Sequence, residues 1–180
     1  MAPKVLITGA ASGSSAAAVG RGSVTPPSRT RLLPREAPTH HDGALAIPLL
    51  YGEVPTDTPS PLRLYGLGDQ PPLSELHPHL ADGAIAIIHL LDASLTEPAV
   101  ALRAAVGDLC RLAADVPVVI GLDRAPLAEL DAADACRDLL EQYDLFWPVV
   151  EIDLGRREDL LDLVEIALAL DKAKAARELQ

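Results

Sequence analysis

Short apolar runs alternate along the 180-residue chain with longer stretches in which apolar residues recur every three or four positions. The first run, residues 4–8 (KVLIT), predicts a buried strand. It leads into a small-residue turn, Gly9-Ala10-Ala11-Ser12-Gly13-Ser14-Ser15. A helix is predicted to open over 15–19 and to be stopped early by Gly20 and Gly22. Residues 21–43, with prolines at 26, 27, 34 and 38, predict a long exposed loop. Runs at 44–51 and 62–65 predict two short strands, and the Pro/Gly/Asp-rich link 52–61 predicts a hairpin with a long loop.

The second half has a stronger pattern. Residues 83–92 (GAIAIIHLLD) form a continuous apolar run, as expected of a strand buried on both faces of a parallel sheet. Helical spacing follows over 98–114, through Val100, Leu102, Val106, Leu109 and Leu112. A strand at 116–122, a helix over 127–143, a strand at 146–153 and an amphipathic helix over 157–170 complete the series. Strands alternating with helices require right-handed crossovers and a largely parallel sheet covered on both faces, an α/β fold. The expected organisation is one domain over 1–171 and a charged helical tail over 172–180, without internal repeats.

Composition narrows the function. The 15 Lys+Arg against 26 Asp+Glu give a net charge of −11, which counts against nucleic acid or an anionic membrane as the main partner, since both need a basic face. No stretch of 18 apolar residues predicts membrane insertion, and the first residues lack the charged-then-apolar layout of a secretion signal, so a cytoplasmic location is expected. Cys110 and Cys136 form no C-x-x-C pair, so neither a zinc knuckle nor a redox dithiol is supported; both are expected as small buried hydrophobes. With 3% aromatics and one Met, both the core and any partner surface are expected to be aliphatic.

The candidate chemistry begins at the glycine turn. Glycines directly after a first strand let backbone N–H groups approach a phosphate, and a following helix N-terminus adds positive potential. As T-G-x-x-x-G-x-G the turn resembles the short-chain dehydrogenase fingerprint, with Ser15 in place of the last glycine. That reading needs an acidic ribose clamp and a Tyr-x-x-x-Lys pair. Tyr51, Tyr65 and Tyr143 are instead followed four residues later by Pro55, Asp69 and Trp147. As a P-loop, G-x-x-x-x-G-K-[ST], alignment on Gly9 puts Ser14, Ser15 and Ala16 at the final glycine, lysine and hydroxyl positions; a loop one residue shorter puts Gly13, Ser14 and Ser15 there.

Downstream segments favour the P-loop reading. Leu64-Tyr65-Gly66-Leu67-Gly68-Asp69-Gln70 resembles the "LFGTPGQ" segment of Ras-like small GTPases, specifically the bacterial MglA-type and actinobacterial conservon GTPases. Residues 80–88 (LADGAIAII) resemble the family's next strand, and 118–123 (VVIGLD) stand at its guanine-specificity strand. Residues 148–153 (PVVEID), followed by Arg156-Arg157, are similar to its last motif, and Thr39-His40-His41-Asp42-Gly43 echoes switch I. The resemblance covers nearly the whole chain and implies a P-loop NTPase (Ras-like) fold with a mixed, mostly parallel six-stranded sheet and helices on both faces.

The departures from that family bear on the chemistry. Phosphoryl transfer rests on positioning and charge neutralisation, yet no lysine or arginine lies between Gly9 and Arg21. By the resemblance, the γ-phosphate-sensing glycine falls on Asp69, whose carboxylate repels the phosphate, and the water-orienting glutamine on Gln70. The guanine motif Asn-Lys-x-Asp maps onto Asp123-Arg124-Ala125-Pro126, and Pro126 has no side-chain acceptor for the base; a register using Asp123 as the base reader leaves Ile120 for the asparagine. Uncompensated charge in a partly dry site costs several kcal/mol. The resemblance with these losses implies a pseudo-GTPase, with no catalytic residues, cofactor or metal, acting as a regulatory or scaffolding subunit.

The partner implied by the resemblance is a protein, a small roadblock-fold (MglB-like) dimer, in bacterial signalling. Leu73, Leu76 and Leu80, at i, i+3 and i+7 on the switch II helix, are the candidate contacts or else that helix's core face. Gly9, Gly13, Ser14 and Ser15 are left as a vestigial anion loop. The alternative is a small-molecule or nucleotide-binding enzyme or sensor using this loop, either a weak GTPase or an NAD(P)-binding oxidoreductase. His40, His41 and Asp42 with His77 and His79 read as solvated loop residues rather than a metal corner, and His89 as a hydrogen-bonded core residue. Ser12, Ser14 and Ser15 suit a turn better than a nucleophile. The acidic groups Glu129/Asp131/Asp134 and Glu158/Asp159/Asp162/Glu165 read as solvated helix faces that can also form a negative docking surface.

Overall fold

A computed structural model describes residues 3–9, 14–24, 26–32, 47–56, 60–67, 83–94, 97–113, 116–123 and 131–178. Its strands are β1 (Lys4–Gly9), β2 (Ser28–Leu32), β3 (Ile47–Val54), β4 (Leu62–Leu67), β5 (Ala84–Asp92), β6 (Val118–Asp123) and β7 (Val149–Ile152). Its helices are α1 (Ser14–Gly22), α2 (Pro98–Ala113), α3 (Ala132–Gln142) and α4 (Arg157–Glu178). The strands form one sheet in the order β2-β3-β4-β1-β5-β6-β7. β3 pairs antiparallel with both β2 and β4, while β4-β1-β5-β6-β7 pair in parallel, so the sheet is mixed and mostly parallel.

Alternation along the strands sorts the core into two layers. Val5 and Ile7 of β1, Leu62 and Leu64 of β4, and Ala86, Ile88 and Leu90 of β5 pack with Ala18 and Val19 of α1 and Leu160, Leu163 and Val164 of α4. On the other face, Leu6, Ile87, Leu91, Val118, Ile120 and Leu122 pack with Leu102, Val106 and Leu109 of α2 and Cys136, Leu139 and Leu140 of α3. The continuous run of β5 follows from this, because both of its faces are covered.

Two glycines set how closely helices approach the sheet. A Cβ on Gly22 would lie 2.9 Å from Leu160 Cδ2 and 3.0 Å from Leu64 Cδ1, so the end of α1 presses directly against α4 and β4. A Cβ on Gly121 would lie 2.8 Å from Leu163 Cδ2 and 2.9 Å from Leu90 Cδ2, which seats α4 on β6.

The six strands expected from the sequence are present, and β2 is a seventh. It lies within the stretch expected to be a long loop and pairs with β3 from Ser28↔Tyr51 to Leu32↔Ile47. Its sequence, SRTRL, carries no apolar alternation because an edge strand has a partner on one side only and is commonly charged. The expected hairpin forms as β3–β4, with Tyr51 opposite Tyr65. Other limits move. α1 runs through Gly20 to Gly22, and β7 begins at Val149 rather than 146, because Pro148 has no N–H to offer a ladder. The described part of the third helix begins at Ala132, whereas 124–130 lie outside the described residues. α4 crosses positions 171 and 172 without a break. Cys136 is buried as expected but Cys110 is exposed, because α2 turns it away from the leucine stripe Leu102–Leu109–Leu112.

Candidate functional site

The chain order makes one end of the sheet the natural place for a ligand. α1 leaves β1 toward the face it shares with α4, while α2 leaves the adjacent β5 toward the opposite face. In open α/β sheets, ligands sit outside the carboxyl ends of the strands at such a divergence. Gly9 closes β1 there, in register with Leu90, and Ser14 and Ser15 open α1.

Three carboxylates come together at this end. Asp92 ends β5 and is in register with Asp123, the last residue of β6, which is in turn in register with Ile152 of β7. Asp153 follows directly. Each is held by backbone. Asp92 Oδ1 accepts the Ser94 N–H at 2.8 Å and the Ser94 hydroxyl at 2.5 Å. The Asp123 carbonyl accepts the Ala93 N–H at 3.0 Å, while its Oδ1 accepts the Leu154 N–H at 2.9 Å. Asp153 Oδ1 accepts the Gly155 N–H at 2.6 Å. The Asp153 N–H donates to Asp159 Oδ2 at 3.0 Å, tying the loop to the first turn of α4.

Burial pushes the Asp123 carboxyl above the usual aspartate range, and the charges of Asp92 and Asp153 push in the same direction. The Leu154 N–H and the Arg21 guanidinium pull it back. Arg21 sits in the last turn of α1 and donates from Nη1 to the Gly155 carbonyl at 3.0 Å. The carboxyl end of β5–β7 is therefore acidic and knitted to itself. Among the described residues, no three or more His, Cys, Asp or Glu side chains converge as a metal holder.

A buried polar pair lies behind the glycine turn. Thr8 and His89 are each 2% exposed. Thr8 Oγ1 is 2.7 Å from His89 Nδ1, as expected of a hydrogen-bonded core histidine, while buried Nε2 has no partner among the described residues. Burial lowers the His89 pKa to about 4, so the ring is neutral at physiological pH.

A hollow of about 670 Å³ lies at the opposite end of the sheet, between Val54, Leu62 and Ile85 and the α4 residues Leu161, Val164 and Leu168. Its lining is mainly aliphatic, and it shares no residue with the aspartate end.

No protein-family model matches the chain, and no curated protein matches it either.

Of the residues singled out in the sequence, the structure brings Gly9, the backbone of Ser14 and Ser15, and Asp123 to the carboxyl ends of the strands. Gly13, Asp69, Gln70, Leu73, Leu76, Leu80 and Pro126 lie outside the described residues, as do His40, His41, Asp42, His77, His79 and Glu129. Asp131, Asp134, Glu158, Asp162 and Glu165 are exposed, as solvated helix faces require, while Asp159 is half-buried at its bond to the Asp153 N–H. Sequence reasoning missed Asp92, Arg21 and Asp159 as members of the site. One signal was available, since Asp92, Asp123 and Asp153 each follow directly on a buried strand run. Among the described residues, no helix is long and apolar enough to cross a membrane.

Proposed function

We propose that the protein is a catalytically inactive, small-GTPase-like regulatory or scaffolding subunit of P-loop (Ras-like) type that works in the cytoplasm by binding a protein partner. The carrying observation is the acidic end of the sheet. Asp123 stands at the guanine-motif asparagine position by the resemblance, already engages the Leu154 N–H, and faces Asp92 and Asp153. A nucleoside triphosphate brought to the divergence of α1 and α2 would meet those carboxylates, and the turn from Gly9 to Ser15 contributes no cation. Although solvent reaches these half-buried and exposed carboxylates, their like charge still opposes triphosphate binding.

A surface held in one state, without turnover, suits a scaffold. The resemblance supplies the kind of partner, a two-fold roadblock-fold dimer of MglB-like type, and Leu73, Leu76 and Leu80 are the proposed contacts. The net charge of −11 supports a protein partner over nucleic acid.

The test is thermal denaturation with Mg²⁺-GTP, Mg²⁺-GDP, NAD(P) or phosphate, alongside chromatographic analysis of nucleotide released from the purified protein. A ligand at about 100 times its Kd would add about 2.7 kcal/mol and raise Tm by roughly 5–10 °C in a chain of this size. No shift and no released nucleotide are expected. A Mg²⁺-dependent shift with GTP overturns the proposal, and a shift with NAD(P) favours an oxidoreductase.

A further inference from the structure

The chain has one Phe, one Trp and three Tyr, and the Phe, the Trp and one Tyr fall in the single stretch Tyr143-Asp144-Leu145-Phe146-Trp147. Phe146 is 86% exposed and Tyr143 is 49% exposed. Leaving the only Phe of an aromatic-poor chain in water forfeits its burial energy, and exposed aromatics are the commonest anchors of protein interfaces.

Backbone hydrogen bonds pin the stretch on either side of Phe146. The Tyr143 and Leu145 N–H groups both donate to the Leu140 carbonyl at 3.0 Å, and the Asp144 N–H donates to the Glu141 carbonyl at 3.0 Å. Asp144 takes a left-handed conformation, φ 55°, which Asp tolerates better than most residues. Pro148 follows, and its carbonyl accepts the Ile120 N–H at 2.8 Å. A knob fixed in this way loses little conformational entropy on docking.

Beside it is a wide, open hollow of about 400 Å³ lined by Cys110, Ala113, Val116, Leu145 and Trp147, with Lys174 of α4 also in its wall. Leu145 and Trp147, the two neighbours of Phe146, line this hole while Phe146 itself faces solvent. Knob and hole therefore adjoin on one surface.

We propose that this turn is a self-complementary docking surface for a second copy of the chain, with Phe146 of each copy seated in the hollow beside Trp147 of the other. A two-fold axis next to the turn makes the contact twice, as an isologous interface does. Local charge favours the same arrangement, against the repulsion of two chains of net charge −11. Asp144 stands next but one to the knob and Lys174 lines the hole, so the exchange brings each carboxylate toward the other copy's ammonium. A partner of different sequence would have to supply both halves; a second copy carries both already. At roughly 150–250 Å² for a fully exposed large aromatic, the exposed parts of Phe146 and Tyr143 supply about a third of the ~800 Å² that each side of a specific interface buries, and the walls around the hollow must supply the rest.

The test is the solution mass of the full chain by sedimentation equilibrium across the micromolar range. A monomer–dimer equilibrium is expected. Phe146→Asp is expected to leave only monomer with an unchanged circular dichroism spectrum, because the side chain it replaces is exposed, and to match the wild-type Tm only at concentrations where the wild type is itself monomeric. Lys174→Glu is expected to weaken the dimer tenfold or more. Maleimide labelling of Cys110 is expected to be several-fold slower in the wild-type dimer than in the Phe146→Asp monomer. A wild-type chain that stays monomeric throughout, or a dimer that survives Phe146→Asp, overturns the proposal; the first result leaves the turn to a different protein.

Discussion

Thr8 Oγ1 and His89 Nδ1 lie 2.7 Å apart across neighbouring parallel strands, in direct register and sealed from solvent. The pair fixes the last turn-facing position of β1, one residue before the glycine turn begins, and it places a titratable ring inside an aliphatic layer. The consequence is a pH dependence with a definite sign. His89 has a pKa of about 4 in the folded protein against about 6.5 unfolded, so the unfolded chain binds the proton more tightly. Stability is full above pH 6.5 and falls as pH drops toward 4. Between pH 7 and pH 5 the loss assigned to this ring is about 2 kcal/mol. Urea unfolding of the wild type and of His89→Asn, which keeps a hydrogen-bonding partner for Thr8, checks it: the variant should lose that much less between the two pH values, and parallel curves would contradict the burial argument.

Asp123 behaves in the opposite way. Its carboxyl is raised in the folded state, chiefly by burial and then by Asp92 and Asp153, so its charge opposes folding at neutral pH and the opposition fades as the carboxyl protonates. Asp123→Asn keeps an acceptor for the Leu154 N–H and removes the charge. Its Tm is expected to exceed wild type at pH 7, with the difference shrinking as pH falls into the acid range. Asp123→Ala abandons that N–H and should cost about 1 kcal/mol. Differential scanning calorimetry of both variants at two pH values separates repulsion from hydrogen bonding.

The seat of α4 rests on a missing side chain. At Gly121 an added methyl would meet Leu163 Cδ2 at 2.8 Å, Leu90 Cδ2 at 2.9 Å and Ile152 Cδ1 at 3.2 Å. All three belong to the packed layer between β6 and α4, so none can step aside into water. Gly121→Ala is expected to destabilise the protein by about 1–3 kcal/mol through overpacking. The denaturant midpoint measures this, and an unchanged midpoint would mean that α4 can slide without cost.

The parts of this fold legible in the sequence are those where one element's own pattern carries the information. The run at β5 and the leucine stripe of α2 both announce their burial. β2 does not, since an edge strand of sequence SRTRL is specified by the β3 ladder it joins rather than by its own side chains. The start of β7 depends on a single proline, so Phe146 reads as a strand residue although it is exposed. That exposure also runs against the aliphatic surface suggested by composition, because a low aromatic count gives no hint that three aromatics share one turn. Of the clustered carboxylates only Asp123 stood out in the sequence, and the group was not legible. Asp92 and Asp123 are 31 positions apart in sequence, and only the parallel register makes them neighbours.

If the proposed reading as a degenerate small-GTPase-like protein holds, its departures from the nucleotide motifs should not be repairable one contact at a time. Ser14→Lys would restore a cation to the glycine turn, and Asp69→Gly would remove a carboxylate from the position that the resemblance assigns to γ-phosphate sensing. The base side would remain without a reader. Pro126 has neither the carboxylate nor the N–H that guanine recognition uses, and Asp92, Asp123 and Asp153 would still face an incoming polyanion. A buried polar edge left unpaired costs about 1–3 kcal/mol for each group, and guanine presents several. The double variant is therefore expected to gain at most weak, base-indifferent phosphate binding, with GTP and ATP indistinguishable by isothermal titration calorimetry. Micromolar affinity for GTP but not ATP in that variant would mean that the base pocket survives without the aspartate at position 126.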